Sequence, residues 1–469
     1  MEKEIVGREC KHVFHLPQID DYRDDTYVIK EVMHYKDGTT EQALRTISNF
    51  KRPYWVTKEP YRTHKDKKEA EDLDRVNKYT CTESNLYTDI AKRLGPRYVG
   101  NRDTRFIKDN PYVYGIDVSG KTYIKHQYLS KYPDAISENK VATFDIETDT
   151  INDEIIIISL SMNDKIYTVI NKSLLLKKVA TETDVVKLQK KFDEKLRYLY
   201  NKYVPKTPIA SNIEKTYVVV ENQMECITKV LEVAHLWKPD FIAIWNIGYD
   251  IPKMLEVCEK YNVLPKDIFS DPSLPDNLKY FKYMEGPKQK TTESGKFKPI
   301  NMEEQWHWVN CPASFWWIDA ASTHRYVRVG GKTVPGGYGL DNILKQELGA
   351  KLGKLKFDDE KTNSLKGLEW HLYMVAEKPL EYIIYNQWDN ISMLELDAKT
   401  KDLSHIISML SMGSGYDVFS SGPKRIIDAL HFFYLDKGRV LACKPSKYED
   451  NVGLLGLGDW IKNNMIYES

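Results

Sequence analysis

The longest apolar stretch in the chain covers residues 155–162, four isoleucines in a row followed by Ser-Leu-Ser-Met. It is far short of the roughly 20 residues a membrane-spanning helix needs. Its β-branched composition predicts a strand over 154–162. Further strands are predicted over 141–146, 166–170 and 217–220. Between them Val185, Leu188, Phe192, Leu196 and Leu199 recur at helical spacing, and a second helix is expected over 224–237. Residues 241–245 form a short apolar strand that runs into a turn at 246–249. Asp250 then stands as the cap of a helix with Pro252 in its first turn. Strands and helices mixed within one block predict a mixed α/β sheet domain. Residues 271–300, rich in Pro, Lys and Gly, read as a surface loop. Beyond it come a buried strand at 315–319, a tight connection around Gly330-Gly331 and Pro335-Gly336-Gly337, and helices over 340–348, 380–396 and 424–435.

The 469 residues are 42% hydrophobic and 29% charged, enough for real cores and, at about 100–200 residues each, for two to four domains. Lys and Arg number 68 against 68 Asp and Glu, which argues against a histone-like wrapping protein. A nucleic-acid enzyme is not excluded, because a phosphate responds to the local field of a cleft. The opening Met-Glu-Lys-Glu is not that of a signal peptide. Six scattered cysteines without a CxxC pair point to reduced thiols in a cytoplasmic protein and to no zinc ribbon. Cys10, His12 and His15 cluster without the second ligand pair that zinc requires.

Residues 1–135 read as short strands and turns. Across 51–68, seven Lys and Arg stand against two acids, and Lys51, Arg52, Tyr54 and Trp55 combine charge with aromatic rings. That mixture grips single-stranded nucleic acid by charge and stacking. It is equally what a solvated surface with one buried Trp looks like.

Three acidic constellations carry possible chemistry. In Phe144-Asp145-Ile146-Glu147, strand alternation points both carboxylates to one face, their attachment points about 6.5 Å apart, a pairing suited to a divalent ion. The second is Asn246 with Asp250, and the third Tyr385 with Asp389, which share a helix face one turn apart. Singly, each has an ordinary structural explanation.

In this order, D-x-E, N-x-x-x-D and Y-x-x-x-D resemble the signature of DEDD-type 3′–5′ exonucleases of the tyrosine subclass. The surrounding segments 144–148, 244–252 and 382–389 are similar to the proofreading segments of family B DNA polymerases, especially those of tailed phages. Residues 51–58 resemble the N-terminal domain of that family, and 421–430 the segment leading back toward its palm. The resemblance implies an RNase H-like exonuclease domain over 137–404, a smaller α+β, mostly-β N-terminal domain over 1–136, and a helical return over 405–469. It implies two-metal hydrolysis of 3′-terminal phosphodiester bonds with Mg²⁺ or Mn²⁺. In the implied roles Asp145 bridges both ions, Glu147 and Asp389 complete the tighter site, and Asp250 holds the second ion through water. Tyr385 orients the attacking water, and Asn246 contacts the terminal nucleotide. Phe144 is a core ring or a wedge for terminal bases, and Lys51, Arg52, Tyr54 and Trp55 guide the strand, with lysines of 279–298 as further candidates.

The implied partners are a DNA 3′ end or primer–template and, since no Tyr-Gly-Asp-Thr-Asp or other palm motif follows Asp417, a second chain bearing palm, fingers and thumb. Such a partner would cover apolar surface around Phe432, Phe433 and Leu435 or in the last twenty residues. Two alternatives remain open: a vestigial exonuclease serving as a structural or template-binding subunit, and an RNA-processing exonuclease, which contact with a 2′-hydroxyl would distinguish.

Overall fold

A computed structural model describes residues 3–100, 105–179, 184–292, 295–329 and 334–442. The expectations for Gly330-Gly331 and for the last twenty residues lie outside these. The chain divides into two compact units, Ile136–Leu410 with Gln42–Leu44, and Met1–Glu41 with Arg45–Ala135 and the chain from Ser411 onward. Among the described residues no helix is long and apolar enough to cross a membrane.

The first unit is mixed α/β. Its strands are β1 (Val141–Asp149), β2 (Glu154–Met162), β3 (Lys165–Asn171), β4 (Glu214–Val220), β5 (Phe241–Ile244) and β6 (Trp316–Asp319). They form one sheet in the order β4-β3-β2-β1-β5-β6. Only β2 runs against the other five. Helices α1 (Val185–Tyr203) and α6 (Pro379–Thr400) cover one face, and α2 (Gln223–Trp237) and α3 (Ile247–Lys260) the other. Between them in sequence fall α4 (Leu340–Leu348) and α5 (Gly367–Glu377).

The isoleucine run explains how β2 serves both layers. Ile155 and Ile158 enter the core beneath α2 and α3, whereas Ile156 and Ile157 enter the core beneath α1 and α6. Strict alternation would not place Ile156 and Ile157 together. The register with β1 slips there, Glu147 facing Ile157 and Thr148 facing Ile155, so Ile156 is the extra residue of a β-bulge. The bulge lies directly opposite Glu147.

The span read as a surface loop over 271–300 is partly ordered into strands. Lys282–Met284 pairs with Trp308–Asn310, and Gln289–Thr291 with Phe297–Pro299. Each strand is three residues long, too short for an alternating pattern to show.

The second unit is α+β. Ile5–Leu16, Thr26–Tyr35 and Thr40–Ser48 make one sheet, and Arg52–Thr57 lies centrally between Val76–Cys81 and Val113–Tyr114 in another. Helices Leu86–Leu94, Gly120–Lys131 and Gly422–Asp436 complete it, and Arg439–Leu441 pairs with Ala70–Asp72.

Here Arg52, Tyr54 and Trp55 are not an exposed platform for a nucleic-acid strand. They sit on a central strand with both faces covered. Tyr54 fills one core and donates to Asp89 at 2.6 Å, while Trp55 fills another with Tyr114 and Val440. The Trp55 ring would lie 2.6 Å from a Cβ at Gly115, whose φ of +72° also requires glycine. Arg52 is 1% exposed and bonded to Glu83 and to the Gly115 carbonyl. Lys51 alone of the four is exposed.

On Gly422–Asp436, Phe432 is half-buried and stacks on His126, and Leu435 is half-buried beside the Trp55 core. The exposed apolar residues of that helix are Ile426, Ile427, Leu430 and Phe433.

Phe144 is likewise a core residue, edge-on to Trp317, rather than an exposed wedge. Phe144→Ala should therefore cost about 3–5 kcal/mol of stability, read as a lowered urea midpoint of the Ile136–Leu410 unit. An unchanged midpoint would contradict this placement.

Candidate metal centre

The pleat of β1 divides its side chains. Ala142, Phe144 and Ile146 join the core beneath α2 and α3, so Thr143, Asp145 and Glu147 face α6. Each meets a helix residue one turn further back. The Thr143 hydroxyl donates to the Asn390 carbonyl at 2.9 Å, Asn386 Nδ2 donates to Asp145 Oδ2 at 2.7 Å, and the Tyr382 hydroxyl donates to Glu147 Oε2. Two residues along a strand advance about 6.6 Å and four along a helix about 6 Å, so the two ladders stay in step. Tyr385 and Asp389 precede Asn386 and Asn390 by one residue and lie on the flank of the same helix.

Asp250 arrives from the neighbouring strand. β5 runs parallel to β1, so the carboxyl ends of both reach the same sheet edge, where α3 begins. The helix starts earlier than the sequence suggested. Asn246 is its cap residue, half-buried and without a side-chain capping bond, and Asp250 lies in the first turn. The reason is Asp319, at the end of β6. Its carboxylate accepts the Ile247 amide at 3.0 Å and the Ser322 amide at 2.7 Å, satisfying the new helix from outside. Asp319 is held up at about 7 by its burial, against those amide bonds.

Carboxylate oxygens of Asp145, Glu147 and Asp389 lie within 4.8 Å of one another. Glu147, Asp250 and Asp389 are buried and Asp145 half-buried. Burial raises all four acids, and repulsion from their neighbours in the group adds to it at Asp145, Glu147 and Asp250. Asp145 is held well above the carboxylate range by burial and then by Glu147, Asp250 and Asp389. Burial and Glu147 do the same to Asp250. Glu147 is pushed up to about 8 by burial, against the Tyr382 hydrogen bond. Asp389 is raised by burial, opposed chiefly by the Lys354 ammonium.

Lys354 Nζ lies 3.3 Å from Asp389 Oδ2, donates to the Tyr385 hydroxyl, and sits 4.9 Å from the centre of that ring. Tyr385 is buried, and its ionisation is pushed well up by burial and the surrounding acids. It is thus a neutral phenol throughout the ordinary pH range. Among the described residues, Asp389 Oδ1 is buried with no hydrogen-bond partner. An oxygen-only set of acids with one unsatisfied buried carboxylate oxygen fits a hard divalent cation.

Of the site residues expected from sequence, Asp145, Glu147 and Asp389 form the cluster, Asp250 borders it electrostatically, and Tyr385 lies beside Asp389. Asn246 is placed at the foot of α3, Phe144 lies in the core on the other face of β1, and Lys51–Trp55 belong to the other unit. Sequence reasoning missed Tyr382, Asn386, Lys354 and His371. The first two were within reach, since Tyr382, Asn386 and Asn390 recur every four residues along the predicted helix. Lys354 and His371 carry no such signal and are brought in by tertiary packing. No protein-family model matches this chain, and no curated protein was found to match it in sequence.

The acids set a pH dependence. Glu147 holds its proton to about 8 when folded but only to its ordinary 4.5 when unfolded, so the folded state binds more protons in that window and loses stability as pH rises through it. A divalent cation displaces those protons. Mg²⁺ or Mn²⁺ should therefore raise the unfolding temperature more near pH 8 than near pH 5, relative to chelator. Equal shifts in scanning fluorimetry at both values would contradict the arrangement.

Proposed function

We propose that the Ile136–Leu410 unit is a DEDD-type 3′–5′ exonuclease of the tyrosine subclass, acting on DNA ends with two Mg²⁺ or Mn²⁺ ions. The observation that carries this reading is the convergence of the Asp145, Glu147 and Asp389 carboxylate oxygens within 4.8 Å. Asp250 at the same sheet edge and Tyr385 beside Asp389 support it, as does a mixed sheet with one reversed strand, which is compatible with an RNase H-like arrangement. In this reading the unit is the proofreading part of a family B DNA polymerase, with synthesis belonging to palm-bearing sequence outside these residues.

Asp145, Glu147 and Asp389 would hold one cation and Asp145 with Asp250 a second. Bound there, divalent cations supply Lewis acidity for water activation and for the leaving 3′ oxygen. The chain's own groups orient and select. Lys354 pins the Tyr385 oxygen, and the neutral phenol then fixes a water by hydrogen bonding rather than by taking its proton. Asn386 holds one Asp145 oxygen and so fixes the rotation of that carboxylate. The cluster's negative charge repels phosphate until it is neutralised, which ties substrate entry to cation loading. A frayed terminus is favoured because unpairing costs least at a mismatch.

Digestion of a 3′-labelled single strand is the direct test. Asp145→Ala with Glu147→Ala should reduce it to background in a folded protein, and Asp389→Asn should come close to that. Tyr385→Phe should retain more activity than either, since an orienting group contributes less than the ligands. Undiminished digestion by the folded double variant would overturn the reading. A wild-type protein inert on every 3′ end would leave a structural subunit, and faster cleavage of matched RNA than DNA would redirect it to RNA processing.

A further inference from the structure

Helix α5 delivers two rings to the edge of the acid cluster. Trp370 contacts His371, Tyr382 and Tyr385 with centroids 5.0, 5.8 and 4.7 Å away, fixing the side chains around it. His371 is half-exposed, and its Nδ1 lies 2.7 Å from the Tyr382 hydroxyl and 3.8 Å from Glu147 Oε2. Tyr382 is fully buried and donates to that same Glu147 oxygen.

The hydrogen count fixes the direction of this chain. A carboxylate that binds a cation is ionised and can only accept. The phenol has one hydrogen, and it goes to Glu147 Oε2. Its oxygen must then accept from His371, so Nδ1 carries the imidazole hydrogen. The donor at Nδ1 polarises the phenol and strengthens its bond to the carboxylate, because linked hydrogen bonds reinforce one another. One Glu147 oxygen is thereby occupied and the rotation of the carboxylate fixed. The other oxygen is then the one through which Glu147 would bind a cation.

We propose that His371 is a positioning residue which, through Tyr382, locks Glu147 into single-oxygen presentation and so sets the cation affinity of the three-acid centre. This rests on the cation-binding part of the reading above and not on the identity of the substrate. Partners of this kind behind a metal ligand typically control affinity by 10–100-fold.

The test is Mn²⁺ binding to the full chain, followed by calorimetry or by the loss of the free-ion spin-resonance signal, with Asp389→Asn marking the site. His371→Phe removes the donor and should weaken binding roughly tenfold, within the range for such outer partners. In His371→Asn the amide NH₂ can take the place of Nδ1–H, and affinity should return to near the wild-type value. Tyr382→Phe should weaken binding at least as much as His371→Phe. Adding His371→Phe to Tyr382→Phe should cost nothing further, since the histidine acts only through the phenol. Thermal unfolding without metal reports whether each variant is folded. Wild-type affinity in His371→Phe, additive losses in the double variant, or no Mn²⁺ bound at Asp389 in the wild type would each overturn the proposal. Tight Mn²⁺ binding with this pattern but no digestion of any 3′ end would instead defeat the exonuclease reading and leave the positioning role standing.

Discussion

The unit around the acids depends on the register between β1 and α6. Three hydrogen bonds link Thr143, Asp145 and Glu147 to positions four residues apart on the helix. A one-residue slip in the strand would turn the acids into the apolar core and Phe144 out of it. A one-residue slip of the helix would rotate Asn386 by about 100° away from Asp145. The helix pays for this precision by being buried with polar residues on board: Asn386, Gln387, Asn390 and Ser392 are all fully buried. Their bonds to the sheet and to their own helix, such as Gln387 Nε2 to the Thr168 hydroxyl at 2.8 Å, make one register far better satisfied than its neighbours.

That packing assembles like charges before any counter-charge is supplied. Lys354 offsets chiefly Asp389, and burial raises the hold of Asp145, Asp250 and Glu147 on their protons. Burial that would be a defect in a structural acid becomes a device here. Raised proton affinity lessens the cost of burying several like charges, and a cation bound there would take the place of those protons. The amide of Asn386 and the phenols of Tyr382 and Tyr385 contribute no charge, so they shape the site without adding to its repulsion.

Much of the sheet was legible in the sequence because its cues are local. The strand at 154–162 and the helix at 340–348 match Glu154–Met162 and Leu340–Leu348 to the residue, the first from its β-branched run. A period of two on a strand and of four on a helix made the pairs Asp145 with Glu147 and Tyr385 with Asp389 legible, whereas only the resemblance of the ordered motifs joined 389 to 145 and 147. The bulge at Ile156 was not, because four identical residues carry no phase. Nor was the start of α3, which Asp319 supports from another strand. Arg52, Tyr54 and Trp55 misled for a similar reason. A short basic, aromatic stretch reads the same whether it lines a groove or crosses a sheet covered on both sides. His371 and Lys354 lie outside every motif and take their meaning only from what packs beside them.

The centre also joins the two cores of its unit. Glu147 and Asp389 are positioned from the layer of α1 and α6, whereas Asp250 is carried by α3, whose Ile247, Ile251 and Met254 fill the opposite layer. β1 belongs to both, with Phe144 anchored on one side and Asp145 presented on the other. A disturbance of the α3 layer should then shift Asp250 relative to the other three acids, while one in the α6 layer should shift Asp389 and leave Asp250 in place. Because the two groups of acids answer to different packing, the sheet edge between them is where the geometry of all four is set together. The short β5 makes this possible: it ends at Ile244, and the chain turns into α3 within two residues, before it could extend past the acids of β1.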